Sequence, residues 1–187
     1  MTTRYSLSVC GRYQVYNAVG VILAAYALGV KAELVVRYIA TYQGTQQRFE
    51  QWKLPNGSLL IDDGYNANPL ALKAAISAMN DLKFPINALV LADMKELGEQ
   101  SVYWHERIAS YLLSSRVTHV FTYGDLAKIT SQNVKNINVQ HFNDIASLTM
   151  TLQRFMVSTT CCVLLKGSRS MGLERVRHGV LLQKELS

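Results

Sequence analysis

The sequence predicts an α/β fold: a mostly parallel sheet with helices on both faces, preceded by two helices. Three observations predict it. Leu59-Leu60-Ile61, Ala88 to Ala92 and Cys161 to Leu165 are apolar runs too short for helices, so they read as buried strands. From Ser58 onward such runs alternate with segments of helical spacing, the pattern of a parallel sheet with crossover helices. Polar, glycine-bearing turns follow the runs, as at Asp62 to Asn68 and Lys166 to Ser170.

Tyr5 to Val9 alternates and reads as a strand or the remnant of one, with a turn at Gly11 to Gln14. Val15 to Gly29 is apolar nearly all round, which predicts a deeply packed helix ending at Gly29. Lys31 to Tyr42 carries Leu34, Val35, Tyr38 and Ile39 at helical spacing. Two helices in succession break the alternation, so residues 1–43 form a separate layer or part of another domain, and 44–187 the α/β domain. Arg48 to Leu54 alternates as a strand, and Pro55-Asn56-Gly57 turns it into Ser58 to Ile61. Asn68 is a good N-cap and Pro69 fits the first position of a helix burying Leu72, Ala75, Ile76 and Met79. Ile86 to Ala92 is a strand, and Ser101 caps a helix with apolar contacts at Trp104, Ile108, Tyr111 and Leu112. Strands follow at Val117 to Tyr123 and Ile137 to Phe142. Asn143 caps a helix burying Ile145, Leu148, Leu152, Phe155 and Met156. Strand Cys161 to Leu165 then leads to a last helix burying Leu173, Val176, Val180 and Leu181.

The chain has 187 residues, 49% hydrophobic and 17% charged, which suits a globular domain with a proper core. The net charge of +6 is spread, without a dense Lys/Arg run or a basic stripe interleaved with aromatics, so nucleic acid is not an expected partner. Cys10, Cys161 and Cys162 are odd in number and form no C-x-x-C pair, which suits a reducing cytoplasm. No secretory leader is expected at the N-terminus. The longest mostly apolar stretch, Ala18 to Val30, falls short of the ~20 residues that span a bilayer.

Four polar loops fall on the sheet edge where ligands of open α/β folds sit: Asp62 to Asn68, Asp93 to Glu99, Tyr123 to Asp125 and Lys166 to Ser170. Two readings fit the first. Its two Asp, one Tyr and two Asn form a site, or its Asx residues only shape the turn and cap the helix. Asp62 and Asp63 have the chemistry to accept ribose hydroxyls or to sit near Mg²⁺, and neighbours on a strand point to opposite faces, so only one reaches a given ligand. Lys166, Ser168 and Arg169 ahead of a helix form an anion site, or simply an exposed basic helix start. His105, mid-helix, is a packed histidine or one that orients a loop. His119, His141 and His178 lack zinc spacing, and neither a G-x-S-x-G elbow nor a G-x-x-x-x-G-K-[ST] loop is present.

Several stretches, in order, resemble the Mur ligases of peptidoglycan synthesis. They are Gly11 to Ala18, Arg48-Phe49-Glu50, Leu60 to Pro69 with its Asp-Asp-Gly-Tyr-Asn-Ala-Asn-Pro, Asp93-Met94-Lys95-Glu96-Leu97-Gly98, His105, and Leu165 to Ser170. The resemblance is strongest to the branch that joins D-alanyl-D-alanine to UDP-N-acetylmuramoyl-tripeptide. It implies a Rossmann-like C-terminal domain preceded by two helices of a truncated central ATPase domain. The full-length family members phosphorylate a peptide carboxylate with ATP and Mg²⁺, and an amine then attacks the acyl phosphate. Their phosphate loop, Mg²⁺ ligands and modified lysine lie outside the matched part, so the chain alone is expected to be inactive and to hold no tightly bound cofactor. By the resemblance, Asn17 sits by the adenine, Arg48 near the terminal phosphate and Asp63 at the ribose, with Tyr65, Asn66 and Asn68 along the cleft. Asp93, Lys166, Ser168 and Arg169 then face the incoming amine and peptide. The chain departs from the family pattern at Tyr13-Gln14, where His-Asn is usual, and at Gly64, where Ser is usual. The alternative is a non-catalytic nucleotide- or peptide-binding module, or a subunit that assembles with a separate N-terminal half. Self-association through the helices of residues 15–42 is a further expectation.

Overall fold

The computed structural model describes residues 6–182, and the chain divides into two compact units between Thr45 and Gln46. The first unit holds helices α1 (Arg12–Ala27) and α2 (Ala32–Ala40). Helix α1 starts at Arg12, inside the stretch expected to be a turn, with Gly11 at its N-cap in a left-handed backbone (φ 103). Residues Ser6 to Val9 form no strand, and Tyr5 lies outside the described residues. The expectation of deep packing for α1 is corrected. It buries only Gln14 and Ala18, while Tyr16, Leu23 and Tyr26 stand exposed, Tyr26 at 80%. One neighbouring helix covers one stripe, and the apolar residues of α1 run all round it. Ala18, Val35 and Ile39 make the small core of this unit. Beside it, Leu7, Asn17, Val21, Leu34 and Tyr38 help line an apolar cavity of about 470 Å³.

The second unit is a six-stranded sheet in the order β1-β2-β6-β3-β4-β5. Its strands are β1 (Glu50–Lys53), β2 (Leu59–Asp62), β3 (Asn87–Ala92), β4 (His119–Tyr123), β5 (Asn138–Phe142) and β6 (Cys162–Lys166). Only β1 runs antiparallel, closed on β2 by the Pro55-Asn56-Gly57 turn, where Leu54 N–H donates to Ser58 O (2.8 Å). The central strands β2, β3 and β6 are buried throughout, which is why they read as unbroken apolar runs.

Helices α3 (Pro69–Asp81), α4 (Ser101–Leu113) and α5 (Asp125–Asn133) pack against one another, and α6 (Ile145–Ser158) packs against α7 (Glu174–Leu182). Leu60, Val90, Val163 and Leu165 meet Leu148, Leu152, Val176 and Val180 of α6 and α7. Strand alternation turns Ile61, Leu89, Leu91 and Leu164 to the other face. The mostly parallel sheet with helices on both faces is therefore the observed fold. Cys161 and Cys162 are core residues whose thiols burial pushes up to about 11 and about 12.

Asn68 caps α3 as expected, its Oδ1 accepting from Ala71 N–H at 2.8 Å. Two other caps move. Ser101 is the first residue of α4, not its cap, and its hydroxyl donates back to Gly98 O. Asp144, not Asn143, caps α6 by accepting from Ser147 N–H at 2.8 Å. No helix was expected between Asp125 and Ile137, where α5 stands. This helix buries little beyond Ala127 and Thr130, so its sequence carries almost no apolar stripe. It is held from a distance: Asp93 Oδ1 accepts Ala127 N–H (2.9 Å), and Thr130 Oγ1 donates to His105 O (2.8 Å).

Gly124 makes room for that remote cap, with φ 104 and the Asp93 carboxylate 2.4 Å from where a Cβ would stand. Gly124→Ala is expected to lower stability by about 1–3 kcal/mol, read as a reduced urea midpoint with an unchanged m-value.

Candidate functional site

The connections define where a ligand fits. The helices that follow β2 and β3 lie on one face of the sheet, and α7, which follows β6, lies on the other. Strand β6 sits between β2 and β3, so the crossovers diverge at its carboxyl end and leave a crevice there. Three of the four polar loops, Asp62 to Asn68, Asp93 to Glu99 and Lys166 to Ser170, surround that end.

Lys166 joins them. It is 1% exposed, and its ammonium donates to Asp63 O (2.8 Å) and to Asn66 O, and pairs with Asp63 Oδ2 at 3.0 Å. All three donors of the ammonium are thereby used. Burial pushes the Asp63 carboxyl up and the Lys166 ammonium down, and each charge pulls the other back. Three acceptors for the three donors of an ammonium fit a charged pair. Of the two readings of this stretch, an anion site or an exposed basic helix start, Lys166 itself fits neither, because it is neutralised in the core and points under the loop.

Asp63 Oδ1 also accepts Phe49 N–H at 3.1 Å. Its side chain keeps 11% exposure, and a carboxylate with two oxygens engaged retains lone pairs for further donors. Asp62 points the other way. It is fully buried, accepts Gly64 N–H (2.9 Å) and Arg177 Nη1 (3.0 Å), and has its carboxyl pushed up by burial against those two contacts. A Cβ on Gly64 would stand 2.9 Å from Asp62 Oδ1, so this turn favours glycine over the serine usual in the pattern.

The other loops are tied in turn. Asn66 Nδ2 donates to Glu96 Oε2 at 3.0 Å, linking the β2 and β3 loops. Ser168 N–H donates to Asp93 O and Ser168 Oγ accepts Lys95 N–H, both at 2.9 Å, linking the β3 and β6 loops. Asp93 is buried and capped into α5, so its carboxylate is structural. His105 is fully buried, with Nε2 accepting Met94 N–H (3.2 Å) and Nδ1 against Ser101 O (2.7 Å), a pattern only the neutral ring satisfies. It is both packed and loop-orienting.

At the open side stands Tyr65. Its ring carries the Arg48 guanidinium at 4.3 Å and that of Arg169 at 5.0 Å. Arg48 lies between Gln47 and Phe49, both left-handed non-glycine residues (φ 56 and 59). Such backbone costs about 1–3 kcal/mol per residue and concentrates at functional sites. Asn17 belongs to the first unit, where its Nδ2 donates to Gln14 Oε1 at 3.3 Å. Sequence reasoning missed Arg177, which anchors Asp62 from α7 across more than a hundred residues and so left no local signal. Glu96 stood in the Asp93 to Gly98 motif, but its bond to Asn66, thirty residues away, was not foreseen.

An α/β domain with a polar crevice at a switch of its sheet is a ligand-binding domain of the doubly wound class. The chain belongs to the Mur ligase family: residues 47–169 match its glutamate ligase domain. It is 28% identical over 177 residues to the UDP-N-acetylmuramoyl-tripeptide–D-alanyl-D-alanine ligase of Bacillus subtilis, a match covering 92% of this chain and 38% of that protein. A crystal structure of MurF from Acinetobacter baumannii is similar at TM-score 0.85 and 27% identity, covering 95% of this chain and 40% of the other. MurF ligase from Thermotoga maritima, solved in complex with ADP, is similar at TM-score 0.79 and 26% identity, covering 98% and 40%. The chain thus spans about two-fifths of the length of the relatives it matches. Among the described residues, no helix is long and apolar enough to cross a membrane, and no cluster of three His, Cys, Asp or Glu is placed to hold a metal.

Lys166→Met strands a buried carboxylate and is expected to cost about 3–5 kcal/mol. Adding Asp63→Asn should recover part of that loss. Urea unfolding of the two single variants and the double variant reads the coupling, and strict additivity would contradict the pair. A second outcome concerns pH. Burial holds His105 below the ordinary 6.5, so below that pH the unfolded chain binds the extra proton and stability falls as pH falls. His105→Gln should flatten the fall of the urea midpoint between about pH 7 and 5, and an unchanged slope would contradict this assignment.

Proposed function

We propose that the chain is the C-terminal domain of an ATP-dependent ligase that adds D-alanyl-D-alanine to UDP-N-acetylmuramoyl-tripeptide, acting in the cytoplasm. One observation carries the reading. The three motif loops are stitched into a single constellation at the sheet's switch by Lys166, Ser168 and the Asn66–Glu96 bond. The names of the similar proteins support the same reaction.

In this reading residues 1–43 are the end of a central ATPase domain and 44–187 the C-terminal domain. The nucleotide is met by Arg48 at the terminal phosphate, Asp63 at the ribose hydroxyls and Tyr65 beside them, while Asn17 is assigned to the adenine on the resemblance alone. The free lone pairs and partial exposure of Asp63 support its role. ATP with Mg²⁺, when bound, activates the tripeptide carboxylate toward the dipeptide's amine. On the peptide side Asn66, Asn68, Ser168 and Arg169 line the cleft, and Lys166 and Asp93 position those loops from below without touching substrate. The chain alone is inactive in this reading.

A second reading draws on the first unit. Its exposed apolar α1 and its apolar cavity favour assembly, either with a separately encoded N-terminal half or with another copy of this chain.

NMR titration of the labelled chain with Mg·ATP and then D-alanyl-D-alanine tests the main reading. Shifts at Asp63, Tyr65 and Asn66 on adding nucleotide are the expected result. No shift with either ligand at millimolar concentration would overturn the half-site assignment, and ADP release by the chain alone, dependent on both peptide substrates, would overturn its inactivity.

A further inference from the structure

With Lys166 neutralised, Arg48 and Arg169 remain as exposed cations at the open crevice, both held against the ring of Tyr65. Neither has an ion-pair partner among the described residues. The carboxylates around them have other contacts, and none lies within ion-pair distance of either arginine among the described residues. Asp63 lies within the electrostatic reach of Arg48, yet its Oδ1 takes Phe49 N–H and its Oδ2 takes Lys166. Glu50 accepts from Gln47 N–H and lies 3.8 Å from Arg177. Glu96 accepts from Asn66, and Glu174 from Gln47 Nε2.

Distances of 4.3 and 5.0 Å to one shared centroid keep the two guanidinium carbons within about 10 Å of each other, about a Debye length at 0.1 M ionic strength. Like charges so placed repel unless an anion lies between them. A guanidinium stacked on a ring spends its face there and keeps its in-plane N–H fork for an oxyanion. The backbone keeps Arg48 in place: Gln47 and Phe49 hold left-handed φ on either side of it, and Tyr65 N–H donates to Gln47 O at 3.2 Å.

We propose that Arg48 and Arg169 are the two arms of one oxyanion clamp built on the Tyr65 ring. Its ligand is a group with at least two free oxygens, one for each fork. The clamp joins a residue assigned to the nucleotide with a residue assigned to the peptide side, so one anion spans both. On the ligase reading, which this inference uses only for the source of the anion, the group is either the nucleotide's terminal phosphate or the dipeptide's carboxylate.

The test is calorimetric titration of the full chain with pyrophosphate at low salt. Both arginines are exposed, so Arg48→Gln and Arg169→Gln should keep the wild-type urea midpoint. Each is expected to weaken pyrophosphate at least tenfold, and the double variant should be little worse than either single, because one arm alone does not clamp. Tyr65→Leu should weaken it as well. Lys135→Gln, an exposed change of equal charge elsewhere, should leave affinity within twofold. The proposal is overturned if Arg169→Gln behaves like Lys135→Gln, or if the two arginine effects simply multiply. Competition then assigns the source. Displacement by a non-hydrolysable ATP analogue, and more weakly by ADP, which lacks the terminal phosphate, marks the phosphate. Displacement by D-alanyl-D-alanine, but not by its C-terminal amide, marks the carboxylate. Pyrophosphate binding that needs both arginines but yields to neither ligand keeps the clamp and counts against the ligase reading.

Discussion

The buried pair of Lys166 and Asp63 is the constraint on which the rest of the crevice depends. A lysine at the end of the central strand β6 has no water to solvate it, so it is tolerable only with three acceptors. Asp63 and the carbonyl of Asn66 supply them, and in doing so fix the β2 loop against β6. Gly167 then brings β6 close to β3, where a Cβ would stand 2.6 Å from that of Ala92. Ser168 completes the join to the β3 loop. One residue pair thus sets the relative positions of the three loops that meet at the switch of the sheet.

A division of labour follows from burial. Asp62, Asp93, His105, Lys166 and Arg177 face inward and hold loops, while Arg48, Tyr65, Asn68 and Arg169 face outward. Asp63 belongs to both groups, locked on two sides and open at its edge. A carboxylate held this way needs no reorganisation to accept a further donor, which is what the proposed ribose role asks of it. The left-handed backbone beside Arg48 fits the same logic, since strain is retained where a side chain must be aimed.

Much of this was legible in the sequence because it is local. The central strands announce themselves as apolar runs, the Asn68-Pro69 pair marks the start of α3, and the polar loops fall at strand ends. The failures share a cause. Helix α5 is capped by Asp93, over thirty residues away, and α1 carries an apolar surface that α2 covers only in part. The roles of Lys166 and Arg177 are settled by partners a hundred or more residues distant, which no window of spacing reveals. Neither reading of Lys166, as part of an anion site or as an exposed basic helix start, foresaw its burial, because charge alone says nothing of what lies beneath a loop.

The most direct test of this account is nitrogen-detected NMR of the lysine side chains at neutral pH. A buried ammonium with three fixed acceptors should give one Nζ signal resolved from the rest, charged and slow to exchange its protons, and Asp63→Asn should shift or broaden it. A Lys166 signal that merges with those of solvated lysines, or that shows a neutral amine, would mean that the three loops are not organised by this pair.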